Sequence, residues 1–284
     1  MSTLLVLGNA AIDLTLRMER LPVPGESVLT NARQEDIGGK GLNQAVAAHR
    51  AGARVRLVAA VGADRDAALI RRSLAKEGIS PDDLVSFQGP TDQSIVMLSE
   101  AGDNMIITSS DAARSIAPQT ATLACAGLGS GDILLVQGNL RQDTTEAAVQ
   151  QARRRGMRIL ANPAPLGFDW VPFLPDLDLL IVNAVEAGQI DVNRAARAII
   201  TRGADGAELL AGNDNIHVPA SAVTALDTTG AGDVLTGVLA AGLWRGMDVE
   251  PALRWGMAAA SMKVQRRGTI SAFPDRTELA NLRS

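Results

Sequence analysis

The sequence predicts an α/β protein: a doubly wound, mostly parallel sheet with helices on both faces and a small β-sheet lid. Short apolar runs bounded by turn residues recur along the chain, and helical periods lie between several of them. Two separate regions switch instead to the alternation of partly exposed strands. The apolar runs are 4–7, 55–61, 133–136, 158–161, 179–182 and 198–201. Each is too short for a buried helix and reads as a buried parallel strand. Helical spacing follows over 42–51, 66–77, 144–155, 231–244 and 250–264, which gives the crossovers that a parallel sheet requires. The alternating regions lie within 13–36 and 92–110, the second turning near 101–103. Neither region buries much alone, so they are expected to pair as a small sheet covering one end of the core. The whole chain, 1–284, is read as a single domain with these lid strands inserted in it.

Composition bounds the function. A chain of 284 residues that is 46% hydrophobic can bury a large core. Its formal net charge of -4 leaves no excess positive field for nucleic acid or anionic lipid, so a small molecule is the expected partner. One cysteine, Cys125, and two histidines, His49 and His217, exclude an intramolecular disulfide and argue against a Cys/His zinc site. No run approaches the ~20 apolar residues that span a bilayer, and the first residues lack the charge and length of a signal peptide. A cytoplasmic protein is expected.

Two glycine clusters carry the chemistry. In Asp227-Thr228-Thr229-Gly230-Ala231-Gly232-Asp233, the glycines permit a tight turn and close ligand approach, and helix-forming residues follow. A helix start of this kind suits an anion, including the charge spread over a transferring phosphoryl group. Asp233 falls in the first turn. It could accept the proton of an attacking hydroxyl or simply complement the helix dipole, and spacing leaves both readings open. The second cluster, Gly38-Gly39-Lys40-Gly41-Leu42-Asn43, also precedes a helix; it reads either as a ligand site with donors from Lys40 and Asn43 or as a glycine-rich turn with solvated side chains, and taken alone its residues favour the turn. No GxxxxGK[ST] loop occurs, and Gly127–Gly131 precedes a strand instead of following one, which excludes a dinucleotide fingerprint.

Together the two clusters resemble the paired signatures of the PfkB carbohydrate kinases, most closely the ribokinase branch, and the resemblance runs nearly end to end. Further matches are Pro24-Gly25-Glu26, Asn162-Pro163-Ala164-Pro165, 201–206 and the closing segment 266–274. The resemblance implies a ribokinase-like fold and transfer of the γ-phosphoryl group of ATP to a primary hydroxyl of a small sugar, ribose or a close relative. It implies that Asp233 is the base and that Gly230, Ala231 and Gly232 form the anion hole. Asp13, Gly39, Lys40, Asn43 and Asn139 would hold the sugar. Asn183, Thr201, Gly203, Gly206 and Gly232 would meet the nucleotide, with Glu186 contacting magnesium through water. A monovalent cation such as potassium would be bordered by Asp227, Thr229 and Gly268. The resemblance also admits a homodimer clasped through the lid, with a monomer as the alternative.

The pattern has departures. Ala11 and Asn139 stand where the ribokinase branch carries asparagine and glutamate, and Asn9, two residues before Ala11, is expected on the same strand face. An amide at 139 bonds hydroxyls but supplies no charge. The stretch 184–197 leaves room for little beyond one helical turn, so the sheet there is expected to be less covered, with apolar surface exposed or closed by a partner chain. Two alternatives to a sugar kinase remain: a nucleoside kinase of the same family, and a sugar-binding regulatory protein that has lost catalysis. The scarcity of aromatics argues against the first and the intact 227–233 segment against the second.

Overall fold

The computed structural model describes residues 2–101 and 104–283. Of the turn expected at 101–103, only Ala101 lies within them. The described strands are β1 (Leu4–Leu7), β2 (Ala11–Met18), β3 (Ala32–Gly38), β4 (Val55–Val61), β5 (Leu84–Ser86), β6 (Asp92–Ser99), β7 (Asn104–Thr108), β8 (Ile133–Gln137), β9 (Arg158–Asn162), β10 (Leu179–Asn183), β11 (Arg197–Thr201), β12 (Ala207–Ala211) and β13 (Asp214–Val218). The helices are α1 (Lys40–Arg50), α2 (Arg65–Glu77), α3 (Asp111–Arg114), α4 (Pro118–Ala124), α5 (Gln142–Arg154), α6 (Ala184–Ala187), α7 (Ala231–Trp244), α8 (Val249–Lys263) and α9 (Arg276–Arg283).

The main sheet has the order β13-β12-β11-β10-β9-β8-β1-β4-β5. The pairs from β5 across to β11 are all parallel, and only the β11–β12 and β12–β13 pairs are antiparallel. Strand pleating sorts the core into two halves: Leu4, Val6, Ile133 and Leu135 face α1, α7 and α8, while Leu5, Leu7, Leu134 and Val136 face α4 and α5. The doubly wound sheet with helices on both faces is thus the observed architecture.

The chain enters at β1, builds outward to β4 and β5, then returns to build outward through β8. This places the reversal of strand order between β1 and β8, where open α/β sheets present their ligand crevice. Helix α7 lies over this point, buried nearly all round between α1 and α8. Its close approach to α1 depends on Gly237, where a Cβ would stand 2.5 Å from the Gln44 carbonyl oxygen.

The two alternating regions form a second sheet, β3-β2-β6-β7, in which β2 and β6 pair in parallel at the centre. Its strand β7 is an edge with Met105, Ile106 and Ile107 all exposed. The 184–197 stretch contains only α6 and a short 3-10 turn at Val192–Arg194, yet β10 and β11 still pair in parallel. The expected loss of cover is corrected: Ile190, Ala198 and Ile200 are buried, and Ala187, Val192 and Ala195 pack against the same cluster. Of the large apolar side chains there, only Val185 is exposed. Among the described residues, no helix is long and apolar enough to cross a membrane.

Candidate active site

Asp233 lies in the first turn of α7 and is buried. Its Oδ2 accepts from Asn43 Nδ2 at 3.0 Å and its Oδ1 from Gln44 Nε2 at 3.0 Å. Lys40 Nζ stands 3.9 Å from the same Oδ1. The two glycine clusters, far apart in sequence, therefore meet directly at the point where strand order reverses. Gln44 is fully buried and extends the network: Nε2 also donates to Asn162 Oδ1 at 3.0 Å, and Oε1 accepts from Gln137 Nε2 at 2.8 Å. Asn162 Nδ2 in turn donates to the Ile181 carbonyl at 2.9 Å. Side chains from α1, β8 and β9 thus hold one carboxylate in a fixed orientation. Sequence reasoning passed over Gln44, although it adjoins the quoted Gly38–Asn43 cluster.

The start of α7 is open. Gly230 is left-handed (φ 77°) and no side chain caps the helix. The Ala231 N–H turns back to the Thr228 carbonyl at 3.2 Å, while among the described residues no hydrogen bond engages the N–H groups of Gly232 or Asp233. A Cβ at Gly232 would meet nothing within 4 Å, so protein packing does not demand glycine there, whereas close approach by a ligand would. Unbonded N–H groups at a helix start form an anion cradle beside a carboxylate able to take a hydroxyl proton.

Asp13 lies on β2, opposite Asp36 on β3 and Ser94 on β6, and its Oδ2 accepts from Thr269 Oγ1 at 3.4 Å. Burial, aided by the charges of Asp233 and Asp36 and opposed by hydrogen bonds from Ser94 and Thr269, pushes its pKa up to about 6. Asn43 Oδ1, Gln137 Oε1 and Asn139 Oδ1 are buried acceptors with no hydrogen-bond partner. Leaving such groups unpaired costs ~1–3 kcal/mol each, and hydroxyl donors from a ligand would remove that cost. Asn9 departs from its expected place. The chain leaves β1 before it reaches β2, and Asn9 sits in that junction with Oδ1 accepting from the Gly41 N–H at 3.2 Å. It braces the glycine turn instead of lining a strand face with Ala11.

At the other end of the crevice, Asn183 and Thr201 pair in register at the ends of β10 and β11. Asn183 caps α6: its Oδ1 accepts from the Glu186 N–H at 2.8 Å, and Glu186 Oε2 accepts from the Asn183 N–H at 2.9 Å. Asn183 is exposed and Glu186 is half-buried. Gly203 and Gly206 bound the turn after β11 with positive φ, closed by the Arg202 N–H to Gly206 carbonyl bond at 2.8 Å.

Asp227, Thr229 and Gly268 come together, but around a protein cation. Asp227 Oδ1 accepts from the Thr229 N–H at 2.9 Å and Oδ2 from the Gly268 N–H at 3.1 Å. Lys263 Nζ donates to the Asp227 carbonyl at 2.8 Å and lies 3.7 Å from Oδ1, and Arg17 lies 3.7 Å from Oδ2. Burial alone would raise the Asp227 pKa, but the two N–H donors and the Lys263 ammonium outweigh it and hold the carboxyl below its ordinary range. Burial lowers the Lys263 pKa, against the opposing pull of Asp227. Sequence reasoning missed Lys263 and Arg17; a lysine closing an alanine-rich buried helix was the available signal.

A family pattern described as pfkB family carbohydrate kinase matches residues 1–276. The ribokinase of Bacillus subtilis (strain 168) is 31% identical over 293 residues, covering 100% of both chains. The deoxyribokinase of Salmonella typhimurium is 28% identical over 290 residues, covering 95% of this chain and 94% of its own. Among solved structures, Arabidopsis thaliana ribokinase complexed with ribose and ATP superposes with a TM-score of 0.85 at 26% identity, over 100% of this chain and 99% of the other.

Proposed function

We propose, from the premise that this chain belongs to the PfkB family of carbohydrate kinases, that it phosphorylates a primary hydroxyl of ribose or a close relative at the junction of α1 and α7. The protein is an ATP-dependent sugar kinase. The observation that carries the site assignment is the pair of hydrogen bonds from Asn43 and Gln44 to Asp233. They orient one carboxylate beside unbonded helix-start N–H groups, which is the minimum that phosphoryl transfer to an alcohol needs.

In this reading the sugar lies between Asp13 and Asp233, with Gly39, Lys40, Asn43 and Asn139 receiving its hydroxyls. Asp233 takes the proton of the attacking hydroxyl as the new O–P bond forms, and a modest base suffices because the transition state is loose. The Gly232 and Asp233 N–H groups, with Gly230 and Ala231 shaping the turn, face the charge on the transferring group. Asn183, Thr201, Gly203 and Gly206 take the nucleotide at the ends of β10 and β11. Closure of the β3-β2-β6-β7 sheet as a lid would exclude water and so limit hydrolysis of ATP.

Among the described residues no group of three or more His, Cys, Asp or Glu side chains could hold a metal ion by itself. That suits magnesium, which commonly binds through substrate phosphates, waters and one or two carboxylates. Bound with ATP, it would neutralise charge on the phosphates. Glu186, whose Oε1 makes no hydrogen bond among the described residues, is the carboxylate we assign to its water shell. Of the residues expected to border a monovalent cation, Asp227 is already occupied, its carboxylate facing two N–H groups and two cationic side chains.

The exposed Met105, Ile106 and Ile107 edge supports a homodimer clasped through the lid, testable by mass in solution. The kinase reading carries with it a cytoplasmic location, where ATP is supplied. A coupled ADP-release screen over ribose, 2-deoxyribose, fructose and nucleosides tests the function. A small pentose is expected to give the highest kcat/KM; a nucleoside preferred over every free sugar would replace this reading.

A further inference from the structure

We propose that Lys263 is a built-in cation that holds the loop leading to the anion-binding turn, so that this enzyme needs no monovalent metal ion. The inference rests on the kinase reading and concerns how its catalytic loop is held. Lys263 is the last residue of α8, and its side chain has 0% exposure. A buried ammonium is tolerated only where it is paired and hydrogen-bonded. Among the described residues both of its partners belong to Asp227: the main-chain carbonyl at 2.8 Å and the carboxylate Oδ1 at 3.7 Å. These are the oxygens that a metal bordered by Asp227 would need.

The rest of the cluster is arranged around the Asp227 carboxylate. Thr229 and Gly268 both turn N–H groups to it. The Val264 carbonyl accepts from the N–H groups of Leu226 and Asp227 at 2.7 and 3.1 Å, and the Lys263 carbonyl accepts from the Arg266 N–H at 2.9 Å. Arg17 adds a second positive charge 3.7 Å from Oδ2. A metal cation placed here would find the Asp227 carbonyl already bonded to an ammonium and would face two like charges. The lysine, a cation carried by the chain itself, performs the metal's task by hydrogen-bonding the Asp227 carbonyl and balancing its carboxylate three residues before Gly230. Lys263 touches none of the residues assigned to sugar or nucleotide, so it is a positioning residue that acts through Asp227.

The test uses the full chain in potassium, sodium, ammonium or tetramethylammonium chloride at equal ionic strength, reading kcat, ADP affinity by calorimetry and melting temperature. For the wild type all three are expected to agree across the salts, to within about twofold for kcat and affinity, since general screening is held constant. In Lys263→Ala, tetramethylammonium should lower kcat by roughly tenfold or more, because a loop displaced by a fraction of an ångström misaligns the transfer site. Ammonium or potassium should restore much of that loss, and Lys263→Met, which fills the space without charge, should not be restored. A merely structural lysine would give no such selective rescue.

Wild-type kcat or ADP affinity rising about fivefold or more in potassium over tetramethylammonium overturns the proposal, beyond what equal screening allows. So does Lys263→Ala with undiminished kcat in tetramethylammonium. If the variants fail to fold, the wild-type comparison decides alone. If no sugar is turned over, the kinase reading fails, while ADP affinity across the four salts still decides this one.

Discussion

At the ends of β1, β8 and β9 the polar side chains are buried and bonded to one another across long stretches of chain, as Gln44 is to Asp233, Asn162 and Gln137. At the ends of β10 and β11 they are exposed or half-buried and satisfied locally, as Asn183 and Glu186 are by their mutual capping box. The difference assigns two kinds of work to one sheet edge. A buried, long-range network fixes orientation before the ligand arrives, which is what base catalysis and hydroxyl selection require. A locally satisfied, solvated turn can receive a large polyanion by backbone and water contacts, with little fixed in advance.

Asp233→Asn should break the buried half most severely. The variant keeps the size of the side chain but removes the proton acceptor, so kcat should fall by about 10²–10⁴-fold. ADP affinity, read by calorimetry, should stay within about threefold, because the nucleotide residues are elsewhere. Retention of kcat within about tenfold of wild type would remove Asp233 from the role of base.

Asp13→Asn probes the cost of keeping a buried acceptor ready. Burial with neighbouring Asp233 and Asp36 raises the Asp13 pKa to about 6. Its folded-state pKa lies above the unfolded one, so the protonated carboxyl favours the fold below pH ~4 and that contribution is lost as pH rises through ~6. The ligand-free wild type is therefore expected to be less stable than Asp13→Asn at pH 7, by up to about 3 kcal/mol. That gap should close towards pH 4 in thermal melts. The same variant should weaken sugar binding by roughly 10–100-fold, the worth of a charged hydrogen bond. A variant no more stable than wild type at pH 7 would show that Ser94 and Thr269 already satisfy the anion.

These contrasts also explain what could be read from residue order. The strands and helices of the main sheet follow from local periodicity, and the reading places 231–244 within the bounds of α7. The polar edge pair β12 and β13 carries little apolar alternation and was visible only as an ordinary strand position at His217. The meeting of Asn43 with Asp233 is a long-range fact that no local pattern encodes; it was legible only through resemblance. Gln44 escaped notice because a glutamine on a helix reads as solvated until α7 is laid over it. Lys263 escaped because its meaning depends on Asp227 returning to the end of α8. Asn9 was assigned to a strand face because two-residue spacing was carried across a junction where the chain is not extended in a sheet.

The mildest effect is expected from Glu186→Gln, and it bears most directly on the contrast between the two halves. Glutamine also serves at the third position of a capping box, so stability should change by less than about 0.5 kcal/mol. What is lost is one negative charge near the magnesium water shell, in a half-buried setting where solvent still screens part of it. The apparent KM for magnesium-ATP should rise by roughly 3–10-fold, with the sugar KM unchanged, in an assay that titrates magnesium at fixed ATP. A loss of kcat as large as that of Asp233→Asn would mean that the exposed half is as tightly organised as the buried one once ATP is bound. The capping box of the ligand-free protein would then be a resting arrangement that opens on binding, and the division between a fixed acceptor side and an adaptable nucleotide side would fail.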